Sequence, residues 1–311
     1  KVVAHFHEWM TASGGLYLRK NSPYVATVFS THATVAGRCI AGNGLALYSD
    51  LHKYNADDIA RRFNVMAKHS IEKMAAHNHD AFLTVSDITA NECKYMLSRE
   101  VTHITPNGFE NDFVWKGEEF ETKRAEARRA MIEVAEACYG HKFEKEPLIV
   151  GTSGRYEYHN KGLDIFMESL KRLASCALDR EILAYVTVPA ANNGPRADLV
   201  RHLQDASQPV DPAQCKYATH YLENTQWDPI SQTMRGSILE SKESKVKVIF
   251  VPSYLNSADG VFNKNYYELL VGMDLTAYPS YYEPWGYTPL ESIAFSVPTI
   301  TSNLSGFGLW A

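Results

Sequence analysis

Short apolar, β-branched segments alternate with longer segments of helical period along this chain. Short apolar runs bounded by polar or turn residues predict strands. Strands that alternate with helices in this way are typical of βαβ units, so the pattern predicts an α/β fold with doubly wound parallel sheets. We predict nine strands, at residues 1–6, 25–30, 81–85, 101–104, 147–151, 182–188, 246–251, 273–278 and 297–301.

Two of the helical segments carry apolar residues at a spacing that places them on one face. We expect both faces to pack in the core rather than to form sites. One consists of Leu163, Phe166, Leu170 and Leu173, and the other of Ile59, Phe63, Met66, Ser70, Ile71 and Met74.

Two polar regions suggest how the chain is divided. Residues 117–145 are rich in Glu, Lys, Arg and Ala, which predicts an exposed helix between two α/β halves. We therefore place a domain boundary near Glu146, with one domain at residues 1–146 and the other at 147–311. Residues 192–244 contain Pro, Gln, Asn and charged residues, and we expect helices and loops inserted in the second domain.

Composition narrows the classes of protein. The length of 311 residues favours two domains. A net charge of −5, without a basic cluster, indicates neither a nucleic-acid nor a membrane partner, and no apolar run is long enough to span a bilayer. Five cysteines without a CxxC pair indicate reduced thiols and a cytoplasmic protein. The strand-like start and abrupt end lead us to expect a piece of a longer protein.

Residues 280–291, SYYEPWGYTPLE, are the most informative segment. A predicted strand ends in an aromatic and glycine turn, after which Thr288 suits a helix N-cap, Pro289 the first helical position, and Glu291 a capping box. Capping does not explain Glu283, a carboxylate at the carboxyl end of a parallel strand, where open α/β sheets bind ligands. The free amides of such a helix start would also hold an anion. From this pattern alone, a site and a plain helix cap both stay open.

The segment EPWGYTPLE matches the E-x7-E motif of retaining GT-B glycosyltransferases. Over essentially its whole length, the chain resembles the animal and fungal type of glycogen synthase. The resemblance implies a GT-B fold of two Rossmann-like domains facing a cleft, both incomplete here, and retaining transfer of glucose to an α-1,4-glucan. It is carried by residues 277–308 and by AHFHEWM (4–10), FSTHATVAGR (29–38), TVSDITANE (84–92), ITPNGFE (104–110), GRYEYHNKG (154–162) and ATHYLENTQWDPI (218–230).

Carried over residue by residue, the resemblance implies a set of site residues. Glu283 would lie by the transferred glucose, with His7 lining the same donor pocket. Arg155 and Lys161, just after a strand, would neutralise the leaving diphosphate without metal or another cofactor. Outside the resemblance, a lone histidine near an aromatic residue is usually only packed, and a basic residue near a turn is usually only solvated.

The remaining expected contacts are to the nucleotide. Glu291 would bind the ribose hydroxyls. Two tyrosines would sandwich the base, which supplies binding with limited discrimination and favours UDP-glucose while leaving ADP-glucose open. The alternative to base binding is that both tyrosines are buried in the core. Likewise, Asn-Gly in the 106–108 loop is equally a plain turn signal, which would give Asn107 no role in binding. The residues concerned are Tyr254 and Tyr266 for the base, and Trp285, Gly286, Tyr287, Thr288 and Asn107 for other substrate contacts.

Other readings remain beside this one. A GT-B transferase with a different acceptor, or a non-catalytic glycan-binding relative, would share the fold. A dinucleotide-dependent dehydrogenase would need a GxGxxG motif directly after a strand, and no predicted strand is followed by one. Residues 13–16, Ser-Gly-Gly-Leu, resemble a phosphate loop but fall where the family has a helix, so they receive no donor role. Residues 117–145 resemble the region through which the family self-associates, which implies a homo-oligomer, although a solvated surface helix fits as well.

Overall fold

A computed structural model describes residues 1–211 and 214–311. The chain folds into two compact units. Their sheets contain nine parallel strands, all at predicted positions, and a separate antiparallel pair completes the strands in the described parts of the chain. The first unit comprises Lys1–Phe109, Ser280–Tyr287 and Ser302–Ala311, and the second comprises Glu110–Pro279 and Thr288–Thr301.

The first unit is a four-stranded parallel sheet with helices around it. Its strands, which follow one another in the order of the sequence, are β1 (Val3–His7), β2 (Ala26–Ser30), β3 (Ala81–Thr84) and β4 (His103–Ile104). Phe29 and Phe82 stack at 5.7 Å between ring centroids and anchor the sheet to its helices. These helices are α1 (Glu8–Asn21), α2 (Val35–Gly42), α3 (Ala56–Arg62), α4 (Met66–Asn78) and α5 (Asp87–Met96), with a 3-10 helix at Leu51–Lys53.

The second unit is built on a five-stranded parallel sheet. Its strands are β5 (Leu148–Ser153), β6 (Ile182–Thr187), β9 (Val246–Val251), β10 (Leu275–Tyr278) and β11 (Thr299–Thr301), arranged as β11-β10-β5-β6-β9. Every residue of β6 and β9 is buried, as expected for parallel strands covered by helices on both faces. The helices are α6 (Gly117–Tyr139), α7 (Leu163–Ala174), α8 (Ala197–Gln204), α9 (Pro229–Met234), α10 (Tyr266–Leu270) and α11 (Tyr287–Ala294). The first residue of α11, Tyr287, belongs to the first unit, and so does the last helix, α12 (Gly306–Trp310).

The polar region 192–244 contains two strands that the sequence did not predict. They are β7 (Asn192–Pro195) and β8 (His220–Leu222), which pair antiparallel. The same region also contains the expected helices, α8 and α9, and a 3-10 helix at Ile238–Glu240. The sequence Asn-Asn-Gly-Pro of β7 has no apolar alternation, so nothing in its pattern indicates a strand. Residues 212 and 213 of this region lie outside the described residues.

Helix α6 is not the exposed connecting helix that its composition indicated. Ala127, Met131, Val134 and Cys138 are buried in the core of the second unit, because small and apolar residues recur along one face between the charged ones. The unit accordingly begins at Glu110, before α6, whereas the sequence placed a boundary after it.

Helix α4 also differs from its prediction. The expected core face included Met74, which is 53% exposed, whereas His69 and Glu72 are fully buried. The burial of these polar side chains is compensated by hydrogen bonds: His69 Nε2 lies 3.0 Å from Asp57 Oδ1, and Glu72 binds the start of α2. On α7, the predicted face is buried except for its last member, Leu173.

Candidate active site

The loop after β5 presents a basic side chain at the carboxyl end of the sheet. β5 ends at Ser153, and Gly154 follows with a φ of 132°, a conformation that side chains rarely adopt. Arg155 comes next; its side chain is 64% exposed and its Nη1 lies 3.0 Å from Glu157 Oε1. Lys161 is half-buried later in the loop, where its amide donates to the Glu157 carbonyl at 2.9 Å. The sequence had not singled out Glu157, whose carboxylate would compete with an anionic ligand for the Arg155 guanidinium.

This loop is closed against the end of β10 by a glycine. Gly162 has a φ of 67°, and a Cβ atom there would lie 2.0 Å from the carbonyl oxygen of Pro279. Any side chain would therefore push the loop from the backbone that follows β10. The close approach places the 154–162 loop beside the chain leading towards α11, within the second unit.

The sequence pattern suggested that Glu291 caps its own helix, but its carboxylate is bound by a tyrosine of another helix. Helix α11 begins at Tyr287, so Thr288 lies inside the first turn rather than at the N-cap. The Glu291 carboxylate accepts a hydrogen bond of 3.0 Å from the hydroxyl of Tyr267, a residue of α10. Burial raises the pKa of Glu291, and the Tyr267 bond opposes that rise.

Five of the predicted residues line one cavity of about 390 Å³ in the second unit. The rest of its wall follows the carboxyl ends of β5, β6 and β9, and includes Ser153, Thr187 and Ser253. Open α/β sheets bind ligands at this edge. The predicted residues brought together are Arg155, Tyr254, Tyr266, Thr288 and Glu291.

Three tyrosines line the cavity, and the two that were predicted, Tyr254 and Tyr266, differ in exposure. Tyr254 is 77% exposed. Tyr266 is half-buried, and its hydroxyl lies 2.8 Å from Ser153 Oγ and 3.3 Å from the hydroxyl of Tyr278. Burial raises the pKa of Tyr266 well above its ordinary value, so it stays neutral. The Tyr266 side chain is therefore held in the wall, whereas most of the Tyr254 side chain is open to solvent.

His7 lies in a group of three histidines in the first unit. It is exposed at the end of β1, and its Nδ1 is 3.4 Å from Nε2 of His32. The His5 ring centroid lies 4.1 Å from that of His7. Glu8 adopts a φ of 63° and accepts a hydrogen bond of 2.9 Å from the His32 amide. The sequence had singled out only His7, although His32 stands in one of the quoted stretches, FSTHATVAGR.

Glu283 lies in a turn whose backbone is tied to the rest of the first unit. Its carbonyl accepts from the amide of Gly306 at 2.9 Å, and the next carbonyl, of Pro284, accepts from Ser86 Oγ at 2.6 Å. A Cβ at Gly306 would lie 2.1 Å from the Pro284 oxygen. The turn carrying Glu283 is therefore fixed by backbone contacts that require a glycine opposite it.

The turn continues through residues of unequal exposure. Trp285 is buried, and its ring centroid is 5.8 Å from that of Phe307 and 6.1 Å from that of Trp310. Its ring therefore packs inside the unit and fixes the turn. Gly286 has a φ of 108°, which makes the sharp bend into α11, and Tyr287 is 48% exposed.

Two other predicted residues are not among the described residues that line this cavity. They are Lys161, in the loop after β5, and Asn107, which is half-buried in the loop after β4 of the first unit. Among the residues with a described placement, no three His, Cys, Asp or Glu side chains are grouped as a metal site. No helix in the described ranges is both long and apolar enough to cross a bilayer.

Solved structures similar to this chain include GT-B glycosyltransferases, and the chain has the same fold. The catalytic domain of starch synthase IV from Arabidopsis thaliana, solved with ADP and acarbose, matches with a TM-score of 0.51 and 15% identity, over 99% of this chain and 57% of that one. An α,α-trehalose 6-phosphate synthase from Burkholderia multivorans matches with a TM-score of 0.55 and 11% identity, over 99% and 57%.

Sequence comparison narrows this class to one family. The family described as glycogen synthase matches residues 1–204 and 203–311, so the chain belongs to the glycogen synthase family. Glycogen [starch] synthase of Dictyostelium discoideum is 31% identical over 99% of this chain and 41% of its own length. The human liver enzyme is 31% identical over 99% and 51%, and the Neurospora crassa enzyme 30% over 99% and 52%. The chain spans about half the length of these relatives.

Proposed function

We propose that the protein transfers glucose from UDP-glucose to the non-reducing end of an α-1,4-glucan, with retention of the anomeric configuration. The observation that carries this proposal is the cavity at the carboxyl edge of the second sheet. It combines a guanidinium group, a helix start, two tyrosines and a held carboxylate on one surface, in a chain of the glycogen synthase family. A nucleoside diphosphate offers a base for the tyrosines, a ribose for the carboxylate, and a diphosphate for the guanidinium and the helix start.

The nucleotide is proposed to bind with its base between Tyr254 and Tyr266. Aromatic faces stack on any base, so they give affinity with limited discrimination. Glu291, oriented by Tyr267, accepts hydrogen bonds from the ribose hydroxyls. Arg155 and the first amides of α11, near Thr288, bind the diphosphate, since a guanidinium and a helix start both favour anions.

Chemistry at the sugar is assigned to the other proposed groups. The bond between the glucose C1 and the diphosphate oxygen breaks while a new bond forms from the acceptor 4-hydroxyl to C1 on the same face. The proton of that hydroxyl passes to the leaving phosphate. Arg155 and Lys161 stabilise the charge that develops on the diphosphate, and Glu283 and His7 support the oxocarbenium-like sugar.

A two-carboxylate mechanism fits the site less well. Retaining hydrolases place a nucleophilic carboxylate and an acid about 5–5.5 Å apart. Here one carboxylate, Glu291, is held by Tyr267 among the residues of the nucleotide cavity. We therefore assign it to the ribose, and assign no covalent intermediate to Glu283.

The experiment that tests the proposal is a donor and acceptor panel on the protein that contains this chain. Release of UDP or ADP is measured with each nucleotide glucose and with glycogen, a lipid-linked sugar or a free sugar as acceptor. We expect the largest rate with UDP-glucose and glycogen. A larger rate with another acceptor would favour a different GT-B transferase, and no turnover with any pair would favour a glycan-binding protein.

Two further expectations belong to this proposal. The five cysteines are free thiols, as expected for a cytoplasmic enzyme. Self-association through residues 117–145 would have to use the charged face of α6, because its apolar face is buried in its own unit.

A further inference from the structure

Helix α5 presents a row of polar side chains to the turn that carries Glu283. Ser86 is the N-cap of this helix, and its Oγ lies 2.6 Å from the Pro284 carbonyl. Thr89, one turn later, approaches the same carbonyl at 3.4 Å. Glu92 follows at the same spacing of three residues, which places it on the same face of the helix.

Glu92 also holds the start of α2. It is fully buried, and its Oε1 accepts from both the amide and the hydroxyl of Thr34, at 2.8 and 2.6 Å. Thr34 is the N-cap of α2, where its hydroxyl oxygen accepts from the amide of Gly37. The loop before Thr34 carries His32, whose ring contacts His7. Glu92 therefore fixes one end of the loop that presents His32.

The second oxygen of Glu92 is buried, and so are the hydroxyl oxygens of two tyrosines, Tyr48 and Tyr282. Among the described residues, neither this Oε2 nor the hydroxyls of Tyr48 and Tyr282 has a partner at normal hydrogen-bond distance. The two rings lie 6.0 Å apart. The Glu92 carboxylate raises the pKa of both tyrosines in addition to the effect of burial, and the Tyr282 hydroxyl opposes the rise that burial causes in the pKa of Glu92.

Buried polar groups that lack partners are costly unless they can satisfy one another or share a water molecule. These three groups can do so because Tyr282 and Tyr48 pack in one cluster with Met96, one turn beyond Glu92 on α5, and both tyrosines interact with the Glu92 carboxylate. A carboxylate needed only to cap α2 would not require two tyrosine hydroxyls near it.

We propose that Glu92 is a positioning residue that couples the loop bearing His32 to the turn bearing Glu283, through Thr34 on one side and Tyr282 on the other. This inference rests on the proposed function, in which Glu283 acts at the transferred sugar. Misplacement of a reacting group by about 1 Å can cost about a hundredfold in rate. The Tyr282 hydroxyl therefore affects turnover without touching the nucleotide cavity, whose lining residues belong to the second unit.

The first test is Tyr282→Phe, which keeps the ring and removes only the hydroxyl. We expect kcat to fall about tenfold, with the KM for donor and the Kd for UDP unchanged within about twofold. The matched control is Tyr54→Phe, which removes a hydroxyl bonded to the Ala46 carbonyl at 2.8 Å beside the same apolar cluster. Its kcat should stay within about twofold of the parent.

A second set of variants separates coupling from simple support of the fold. Glu92→Gln should retain most of kcat, because its amide can still accept from Thr34 and can donate to Tyr282. Glu92→Met should lower kcat at least tenfold, and adding Tyr282→Phe to it should cause no further loss. Losses that multiply in the double variant, or an unchanged kcat in Tyr282→Phe, would overturn the inference.

Glu283→Gln distinguishes this inference from the proposed function. If Glu283→Gln loses turnover and Tyr282→Phe does not, only the coupling is wrong. If Glu283→Gln itself keeps turnover, the role proposed for Glu283 fails, and the coupling has no catalytic group to position.

Discussion

The hydroxyl of Tyr267 donates a hydrogen bond of 3.0 Å to Oε1 of Glu291. This bond crosses from α10 to α11 and fixes a carboxylate in the wall of the cavity. The Tyr267 ring is itself held, since it stacks on Phe295 at 4.9 Å between centroids and at an interplanar angle of 13°. A ligand that uses Glu291 therefore meets a carboxylate oriented before binding, which lowers the entropy cost of association.

Tyr267→Phe should weaken UDP binding about tenfold, because the Glu291 carboxylate would no longer be oriented before the ribose binds. Isothermal calorimetry of UDP binding measures this effect. Tyr24→Phe, at a tyrosine that is 83% exposed in the first unit, is the control and should leave the affinity unchanged. Equal affinity for the two variants would show that Glu291 needs no support from Tyr267.

Glu283→Gln should reduce turnover by at least about a hundredfold and leave the Kd for UDP unchanged. The reason is that Glu283 is proposed to act at the sugar, and no residue of its turn lines the described nucleotide cavity. Steady-state kinetics with UDP-glucose and glycogen, together with UDP calorimetry, provide the two readouts. A loss of turnover smaller than about tenfold would contradict the assigned role.

The sequence predicted the parallel fold well because each strand has a local signature. Strand β9, for example, is apolar at every position except Lys247 and is buried along its whole length. Its alternation with helices determines the class of fold. The buried face of α4 could not be predicted in this way, since the burial of Glu72 depends on hydrogen bonds from Thr31 and Val35, which are distant in the chain.

The sequence indicated candidate site residues where they follow strands, and it gave no indication of residues that pair across helices. Arg155 follows β5, and its place in the cavity agrees with that position. Tyr267 and Glu157 carried no signal of their own, because their importance comes from the carboxylate or guanidinium that each one contacts. A spacing rule cannot identify such partners before the packing of the elements is known.

Arg155→Ala and Lys161→Ala should each weaken UDP binding, by about 2–4 kcal/mol if both groups face the diphosphate in a closed site. Uridine, which lacks phosphate, should bind both variants as it binds the parent. Glu157→Gln is the informative counterpart, because it removes the carboxylate that lies 3.0 Å from Arg155 and should strengthen UDP binding slightly. Unchanged UDP affinity in both alanine variants would remove these residues from the phosphate site.

Two buried carboxyl groups give the first unit an unusual dependence on pH. Burial raises the pKa of Glu72 to about 8 and that of Glu92 to about 7, from an ordinary value of 4.5. Hydrogen bonds from Thr31, Val35 and Thr34 oppose these shifts without cancelling them. Both groups therefore take up protons when the chain folds at neutral pH.

Stability of the first unit should fall as the pH rises from about 4.5 to about 8. The contribution of a carboxyl group whose pKa is raised by folding is complete below its unfolded pKa and is lost as the pH passes its folded pKa. We expect the Tm to drop by at least about 4 °C between about pH 5.5 and pH 8.5. Glu72→Gln and Glu92→Gln should each flatten the profile, since an amide does not titrate, whereas Glu100→Gln, at an exposed carboxylate, should not. Calorimetric Tm values across this range measure the slope, and an equally steep profile in the Glu72→Gln/Glu92→Gln double variant would show that other groups cause it.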